Sequence, residues 1–215
     1  MEDFKYIKVE SKKKLIFEYE NIFDEYTSWF INQSFENCNL KYGHTATGTN
    51  FDDKKFFGEV YFFDRFVNGY NIDNVPAAVN YILNYVICNG AKLINKNSKL
   101  IKLQRIALNG QTPSNHPKIH IDDSLNDTAW TFIFYVNESD GDTIIFNNFE
   151  DSVPFYRCKY KKNKLLIFPS LYAHQALAPI KYFWRLTFAI TAHLDTPYNS
   201  LILEGKKNFV SYNPH

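Results

Sequence analysis

Three side chains in the second half of the sequence are of the kinds that hold a transition metal. His120 and Asp122 stand in Lys118-Ile119-His120-Ile121-Asp122-Asp123, and His174 closes Ser170-Leu171-Tyr172-Ala173-His174. On an extended strand residues i and i+2 share a face, so His120 and Asp122 would project side by side, one imidazole and one carboxylate. Two ligands make a weak site, and His174 offers a third, just after the apolar run Leu165–Phe168 and the turn at Pro169-Ser170. Two histidines and a carboxylate on one face of a divalent iron leave three positions open for oxygen and a cosubstrate. The 54 positions from His120 to His174 suit a chain that leaves on one strand, makes several antiparallel passes and returns beside it.

Arg185 follows His174 by eleven residues, and Thr187 comes two further on. In Phe183–Thr191, Trp184, Leu186, Phe188 and Ile190 point one way, so Arg185, Thr187, Ala189 and Thr191 point the other, a face too small and polar for an ordinary core. Trp130–Val136 divides likewise, with Thr131, Ile133 and Tyr135 opposite Trp130, Phe132, Phe134 and Val136. A barrel with an apolar outside and a polar lining produces both patterns. There the Arg185 guanidinium could hold a carboxylate by a bidentate ion pair, with the Thr187 hydroxyl and the Tyr135 phenol completing the grip. Arginine is scarce, only Arg65, Arg105, Arg157 and Arg185, so each one inside a strand asks for a reason.

The elements that must carry these residues can be read along the chain. The first half mixes short β-type runs, Tyr6–Val9, Leu15–Tyr19 and Glu59–Phe63, with two helices. One helix covers Asp24–Phe35. The other starts at Pro76, carries Val79, Ile82, Leu83, Val86 and Ile87 at helical spacing, and is expected to stop at Asn89-Gly90. From Leu100 onward strands alternate with turn residues: Ile101–Leu108, a loop from Asn109 to Asn115, Lys118–Ile121, Trp130–Val136, Thr143–Phe146, Lys164–Phe168 and Tyr182–Thr191. Six strands at this spacing indicate a sandwich or barrel of the jelly-roll kind, covered by the N-terminal helices.

The ordered set of motifs resembles the Fe(II)- and 2-oxoglutarate-dependent dioxygenases, in particular the prolyl 4-hydroxylase-like branch with its phage-encoded members. The matching text is Arg105-Ile-Ala-Leu-Asn109-Gly-Gln111, His120-Ile-Asp122-Asp123, Trp130-Thr-Phe-Ile-Phe-Tyr135-Val-Asn137, Gly141-Asp-Thr143, Leu166-Ile-Phe-Pro169-Ser, His174 and Arg185-Leu-Thr187. It runs from about Lys102 to His193, close to half of the chain. The resemblance implies a mainly β (α+β) fold, a double-stranded β-helix with flanking helices, in which His120, Asp122 and His174 bind Fe(II). It further implies that 2-oxoglutarate is the cosubstrate, its far carboxylate taken by Arg185 and Tyr135 with help from Thr187. Asn109 and Gln111 stand near where related enzymes carry a tyrosine that touches the cosubstrate. Consumption of O2, release of succinate and CO2, stimulation by ascorbate and hydroxylation of a C–H bond are implied by the same resemblance. The substrate would be a proline in a peptide, or a free amino acid or small metabolite. A jelly-roll binding module that kept the barrel without the chemistry is the reading from another class, and the presence of all three ligands and the arginine weighs against it.

Other polar groups have plainer readings. A second His-x-Asp pair, His193-Leu194-Asp195, is followed only by His215, with no room for a sheet to return, and reads as a strand end. His116 is separated from His120 by Pro117, which argues against a helical HxxxH pair and leaves a loop residue. Tyr160-Lys161-Lys162-Asn163-Lys164 reads as a solvated turn.

At 215 residues one domain suffices, with 1–100 as an N-terminal elaboration, 101–195 as the core and 196–215 as a tail. The 24 basic and 23 acidic residues nearly cancel, so no global field indicates nucleic acid. Three widely spaced cysteines, Cys38, Cys88 and Cys158, make neither a disulfide framework nor a zinc ribbon. Without a signal core or a run of ~20 apolar residues, a cytoplasmic, membrane-free protein is expected. Substrate selection is assigned to the N-terminal half and to the loops Ser114–Lys118, Leu125–Asp127 and Asn147–Tyr160, which would shape the mouth.

Overall fold

Period-two alternation in the long strands divides the chain into an apolar layer and a polar cavity. The structure, a computed structural model, describes residues 6–8, 15–36, 40–44, 56–63 and 77–201; Val9, Cys38, Arg65, Pro76 and the tail from 202 to 215 lie outside them. In chain order the elements are β1 (Tyr6–Lys8), β2 (Phe17–Glu20), α1 (Glu25–Glu36), β3 (Lys41–His44), β4 (Phe56–Phe63), α2 (Ala77–Ile94), β5 (Leu100–Gln111), β6 (Ala129–Tyr135), β7 (Thr143–Phe146), β8 (Tyr156–Cys158), β9 (Lys164–Pro169), β10 (Ala173–Ala176) and β11 (Arg185–Leu194). They form an eight-stranded sheet in the order β1-β2-β9-β6-β11-β5-β4-β3 and a three-stranded sheet in the order β10-β7-β8. All named pairings are antiparallel. The fold is the double-stranded β-helix, with both helices packed outside it.

The outer face of the large sheet is the main core. Leu186, Phe188, Ile190 and Ala192 of β11 and Trp130, Phe132 and Phe134 of β6 bury against Ile31 and Phe35 of α1 and Val79, Ile82 and Val86 of α2. Phe35 meets Phe188 edge-on with ring centroids 4.9 Å apart. Helix α1 starts where Asp24 caps it, the Thr27 amide donating to Asp24 Oδ1 at 2.9 Å. Among the described residues no helix is long and apolar enough to cross a membrane.

Several expected boundaries move, each for a physical reason. Helix α2 does not stop at Asn89-Gly90 but runs on to Ile94. Gly90 is a point of close approach, since a Cβ there would lie 3.0 Å from Phe132 Cε1. The expected loop at Asn109–Gln111 is strand, because these residues pair with Thr187, Leu186 and Arg185 on one side, and Asn109 and Gly110 with β4 on the other. Lys118–Ile121 is not a strand: only His120 forms a bridge, to His174, while the Pro117 carbonyl is taken by the Gln175 side chain at 2.7 Å. The last strand begins at Arg185 and not Tyr182, because the Ile180 and Lys181 amides donate to Asp140 and hold the preceding turn.

The run Tyr160–Lys164 is only partly solvated. Lys161 is exposed, but Tyr160, Asn163 and Lys164 are buried. Asn163 takes a left-handed conformation with φ of 61° and hydrogen-bonds both backbone groups of Phe23. Lys164 pairs with Glu18 at 2.8 Å and tethers β2 to the barrel. Strands β3, β8 and β10 had no counterpart in the sequence reading.

Candidate active site

The barrel interior holds one cavity that gathers most of the expected residues: His120, Asp122, His174, Asn109, Gln111, Arg185 and Thr187 all line it. The metal-type ligands meet at one end. His120 and His174 exchange two backbone hydrogen bonds, 3.0 and 2.9 Å, an antiparallel pair that clamps ligands 54 positions apart side by side. Their rings are 4.2 Å apart between centroids. Asp122 sits at a bend two residues on and places Oδ1 3.7 Å from His120 Nε2 and Oδ2 3.7 Å from His174 Nε2.

The tautomers follow from the backbone. His120 Nδ1 lies 3.2 Å from the Lys118 carbonyl and His174 Nδ1 lies 3.0 Å from the Tyr172 carbonyl. A carbonyl only accepts, so each Nδ1 carries the proton and each Nε2 presents a lone pair. Two imidazole lone pairs and a carboxylate then converge, with all three ligand atoms within 4.8 Å of one another. Three acceptors facing a common point repel unless a cation lies between them, so the donor set fits a divalent metal. Burial, reinforced by neighbouring His174, pushes the His120 pKa down to about 4, which keeps the ring neutral and able to ligate. Burial would raise the Asp122 pKa, but His174, His120, Arg105 and the Thr131 hydrogen bond outweigh it and hold the carboxyl below its ordinary value. Thr131 donates to Asp122 Oδ2 at 2.7 Å and lies 2.8 Å from the Ser170 hydroxyl, which fixes the carboxylate's orientation.

The other end of the cavity is built around Arg185, which is 1 % exposed. Nε donates to the Gly141 carbonyl at 2.6 Å, Nη1 to Gln111 Oε1 at 2.7 Å and Thr187 Oγ1 at 3.3 Å, and Nη2 to Thr143 Oγ1 at 2.9 Å. Every one of these acceptors is neutral. Four of the five guanidinium N–H groups are engaged, leaving one on Nη2. Asp142, an acid in its field, is committed to Arg157 at 2.6 Å and to the Tyr160 amide at 2.8 Å. Burial lowers the pKa of this guanidinium, against the opposing influence of Tyr135, Tyr160, Cys158 and Asp142. A fully buried cation among neutral acceptors is an incomplete ion pair.

Tyr135 stands behind this end. Its phenol donates to Thr143 Oγ1 at 2.8 Å, and its ring lies beside the guanidinium, 5.7 Å from Cζ to centroid. Thr143 Oγ1 therefore accepts from both Tyr135 and Arg185, and its own proton is left for the cavity that Thr143 lines. Gln111 is engaged with protein, its Nε2 donating to the Asn115 and Ala176 carbonyls while Oε1 receives Arg185, so it positions the arginine. Asn109 Oδ1 is buried without a hydrogen-bond partner and faces the same cavity, an acceptor held ready for a ligand or a water.

Four contributors went unassigned in the sequence reading. Thr131 was visible as an inward residue of its strand but carried no signal of its contact with Asp122. Thr143 and Gly141 lie in the matching text, yet their value is spatial: a Cβ on Gly141 would sit 2.4 Å from the Leu177 carbonyl and 2.7 Å from Arg185 Cδ. Arg105 lines the cavity near the metal-type ligands. Among the described residues, His193 and His116 do not line the cavity. His193 contacts Thr128 and Gln104, and His116 Nδ1 accepts from the Ala178 amide.

A scan of protein-family models finds no match to the sequence, and neither does a search of curated proteins. Solved structures do match the fold. A 2OG-Fe(II) oxygenase family protein from Burkholderia pseudomallei superposes with a TM-score of 0.60 at 9 % identity, covering 82 % of this chain and 85 % of that one. A prolyl hydroxylase from Trichoplax adhaerens, solved with a hypoxia inducible factor peptide fragment, gives 0.50 at 13 % identity over 92 % and 87 %. The non-heme alpha ketoglutarate dependent carbocyclase SnoK from nogalamycin biosynthesis gives 0.60 at 9 % identity over 84 % and 80 %. At such identities the likeness shows a shared fold.

Proposed function

We propose that this protein is an Fe(II)- and 2-oxoglutarate-dependent oxygenase that hydroxylates a C–H bond. The observation that carries the reading is the pairing of two half-sites in one cavity. Three acceptors, His120, Asp122 and His174, converge at one end, and at the other the buried Arg185 guanidinium donates to neutral acceptors, with no anion bonded to it among the described residues. A metal ion answers the first and a dicarboxylate that also chelates the metal answers the second.

When bound, Fe(II) with 2-oxoglutarate and O2 supplies the oxidising power, and the balance is R–H + 2-oxoglutarate + O2 giving R–OH + succinate + CO2. The protein's residues bind, orient and exclude water. The backbone clamp between His120 and His174 fixes two ligand directions before metal arrives, and Thr131 with Ser170 fixes the third. The remaining Nη2 proton of Arg185 and the hydroxyl protons of Thr143 and Thr187 offer donors to a far carboxylate, with Tyr135 and Gln111 holding Thr143 and Arg185 in place. Asn109 lines the wall beside Thr187, where its Oδ1 can accept from a water or a donor on a ligand. The apolar residues Ile133 and Ala189 complete the wall and limit water.

The finer reading, a prolyl 4-hydroxylase-like enzyme, draws on the motif resemblance and on a prolyl hydroxylase being among the structures that share the fold. The alternative is the same chemistry on a free amino acid or small metabolite. Succinate formation with Fe(II), O2 and ascorbate tests the reading. Wild-type protein is expected to turn over 2-oxoglutarate, at least uncoupled, and His174→Ala to give none; equal rates would remove His174 from the site.

A further inference from the structure

The inner face of the large sheet continues past the metal-type end. In β11, Thr191 lies opposite Arg105 of β5 and His193 opposite Lys102, while on the other side Thr191 pairs with Thr131 and His193 with Ala129 of β6. Thr131 bonds Asp122, so His193 stands two residues beyond the level of that ligand, about 7 Å at ~3.3 Å per residue. There a further hollow opens, a groove of about 390 Å³ whose walls include Gln104, Asp123, Asn126, Thr128 and His193, within the size range of small-ligand sites. It adjoins the metal-type site through consecutive residues. Asp122 lines the cavity and Asp123 the groove, and likewise Arg105 lines the cavity and Gln104 the groove.

The register explains how Gln104 comes to line this groove. Thr191 faces Arg105 while Ala192 faces Leu103, so Gln104 is an extra residue in β5, a bulge of the kind that re-aims a side chain. Gln104 is only 8 % exposed, and its Oε1 lies 3.2 Å from His193 Nε2. Asp123 Oδ2 lies 3.8 Å from the same nitrogen. Both are acceptors, so Nε2 carries the proton and Nδ1 accepts from the Thr128 hydroxyl at 3.2 Å. With Oε1 held in this way, Gln104 offers the groove its Nε2, whose two N–H donors have no hydrogen-bond partner among the described residues.

A nearly buried donor without a partner calls for an acceptor. The charges around it are already matched. Asp123 receives the Leu125 amide and both nitrogens of Asn126 and faces His193, and Lys102 has a partner of its own. An anion placed on Gln104 would also meet the Asp123 carboxylate in the same groove, so the acceptor that fits is a neutral carbonyl. Asn126, whose nitrogens serve Asp123, has its Oδ1 to offer to an N–H of the same ligand. Ile101 and Leu125 add exposed apolar wall.

We propose that Gln104, oriented by His193, is a specificity-determining residue for the prime substrate and donates to a neutral amide carbonyl on it. This rests on the oxygenase reading above. The amide belongs either to a polypeptide or to a small amide-bearing molecule. The place of the groove beside Asp122 sets the carbon presented to the metal a few bonds from that carbonyl.

The test uses protein loaded with Mn(II) in place of Fe(II) and with 2-oxoglutarate. The common L-amino acids are added in three forms, as free amino acids, as N-acetyl methylamides, and as the central residue X of acetyl-Gly-X-Gly amides. Paramagnetic broadening of their proton resonances is followed. At least one blocked compound is expected to broaden, with the matching free amino acid about tenfold weaker or worse. Broadening of single blocked residues identifies a small amide, and broadening of the tripeptides alone a polypeptide. Gln104→Met keeps the length of the side chain without its donor. It should weaken the best ligand about ten- to a hundredfold and leave Mn(II) and 2-oxoglutarate affinities within about twofold, which also reports that the variant is folded. The proposal is overturned if free amino acids bind as well as blocked ones, if nothing in the panel binds, or if Gln104→Met holds the best ligand as tightly as wild type. It is overturned too if Gln104→Met loses Mn(II), because the residue then acts on the metal site. Failure of wild-type protein to hold Mn(II) and 2-oxoglutarate together would remove the oxygenase reading and the proposal with it, and is seen before any probe is added.

Discussion

Replacing Arg185 by methionine removes the guanidinium that lines the far end of the cavity while leaving the metal-type ligands intact. Two effects on the ligand-free protein oppose each other. The Gly141 carbonyl and Gln111 Oε1 lose their donors, at about 1–3 kcal/mol for each group left unsatisfied, but a buried cation with no anion is also removed. The variant is therefore expected to fold and to melt within about 5 °C of wild type. Binding is different, because the far carboxylate loses its one charged partner. Truncating one member of a buried, hydrogen-bonded charge pair costs about 2–5 kcal/mol, or roughly 30- to 5,000-fold in affinity. At 2-oxoglutarate one hundredfold above its Kd, Mn(II)-loaded wild type gains about 2.7 kcal/mol, a rise of roughly 5–10 °C for a chain of this size. The variant at the same concentration should shift by only about 1–2 °C if affinity falls a hundredfold. Calorimetric titration of Mn(II), then of 2-oxoglutarate, separates the two sites. A 2-oxoglutarate affinity within threefold of wild type would refute the assignment of Arg185, and loss of Mn(II) binding would refute the separation of the cavity into two ends.

Three further outcomes are expected. Thr131→Val keeps the shape but removes the bond to Asp122 Oδ2, so divalent metal affinity should fall about 10- to 100-fold; an unchanged affinity in a metal titration would make that bond irrelevant to ligation. Gly141→Ala puts a Cβ against the Leu177 carbonyl and Arg185 Cδ, costing about 1–3 kcal/mol by denaturant unfolding and weakening 2-oxoglutarate more than metal; full 2-oxoglutarate affinity would show that the wall yields elsewhere. His120 has its pKa lowered from 6.5 to about 4 by burial and by His174, so its neutral form is favoured by folding. That contribution is complete above pH 6.5 and lost as pH falls through the folded value. Metal-free protein should lose stability between about pH 6.5 and 4, and His120→Asn should flatten that slope in unfolding curves; an unaltered slope would place the titration elsewhere.

Long strands with one apolar and one polar face were legible because their alternation persists for seven residues or more. Trp130–Val136 and Phe183–Thr191 each gave the correct inward set, and so the lining at Thr131, Thr187 and Arg185. Strands β3, β8 and β10 are three or four residues long, too short for a period to register, and they take their shape from the sheet edges they join. Asn-Gly pairs misled twice. Gly90 serves close helix–sheet packing and Gly110 a strand interior, and the sequence shows the flexible residue but not the neighbour that requires it. The metal-type triad was legible as residue types and order, whereas its reciprocal backbone clamp needed the returning chain. Lys164 looked solvated within a charged run, and only tertiary structure brings Glu18 to it across 146 positions. Arg105 drew attention by its rarity, yet its place on the cavity wall within reach of Asp122 was set only by the folded sheet.

The most direct test of the whole reading is anaerobic titration of the apoprotein with Fe(II), then with 2-oxoglutarate, recording the visible charge-transfer absorption of the chelate. The band is expected for wild type at one equivalent of each and is expected to vanish in Asp122→Ala. No band in a folded wild-type protein, or an equal band in the variant, would contradict an iron and 2-oxoglutarate site at His120, Asp122 and His174.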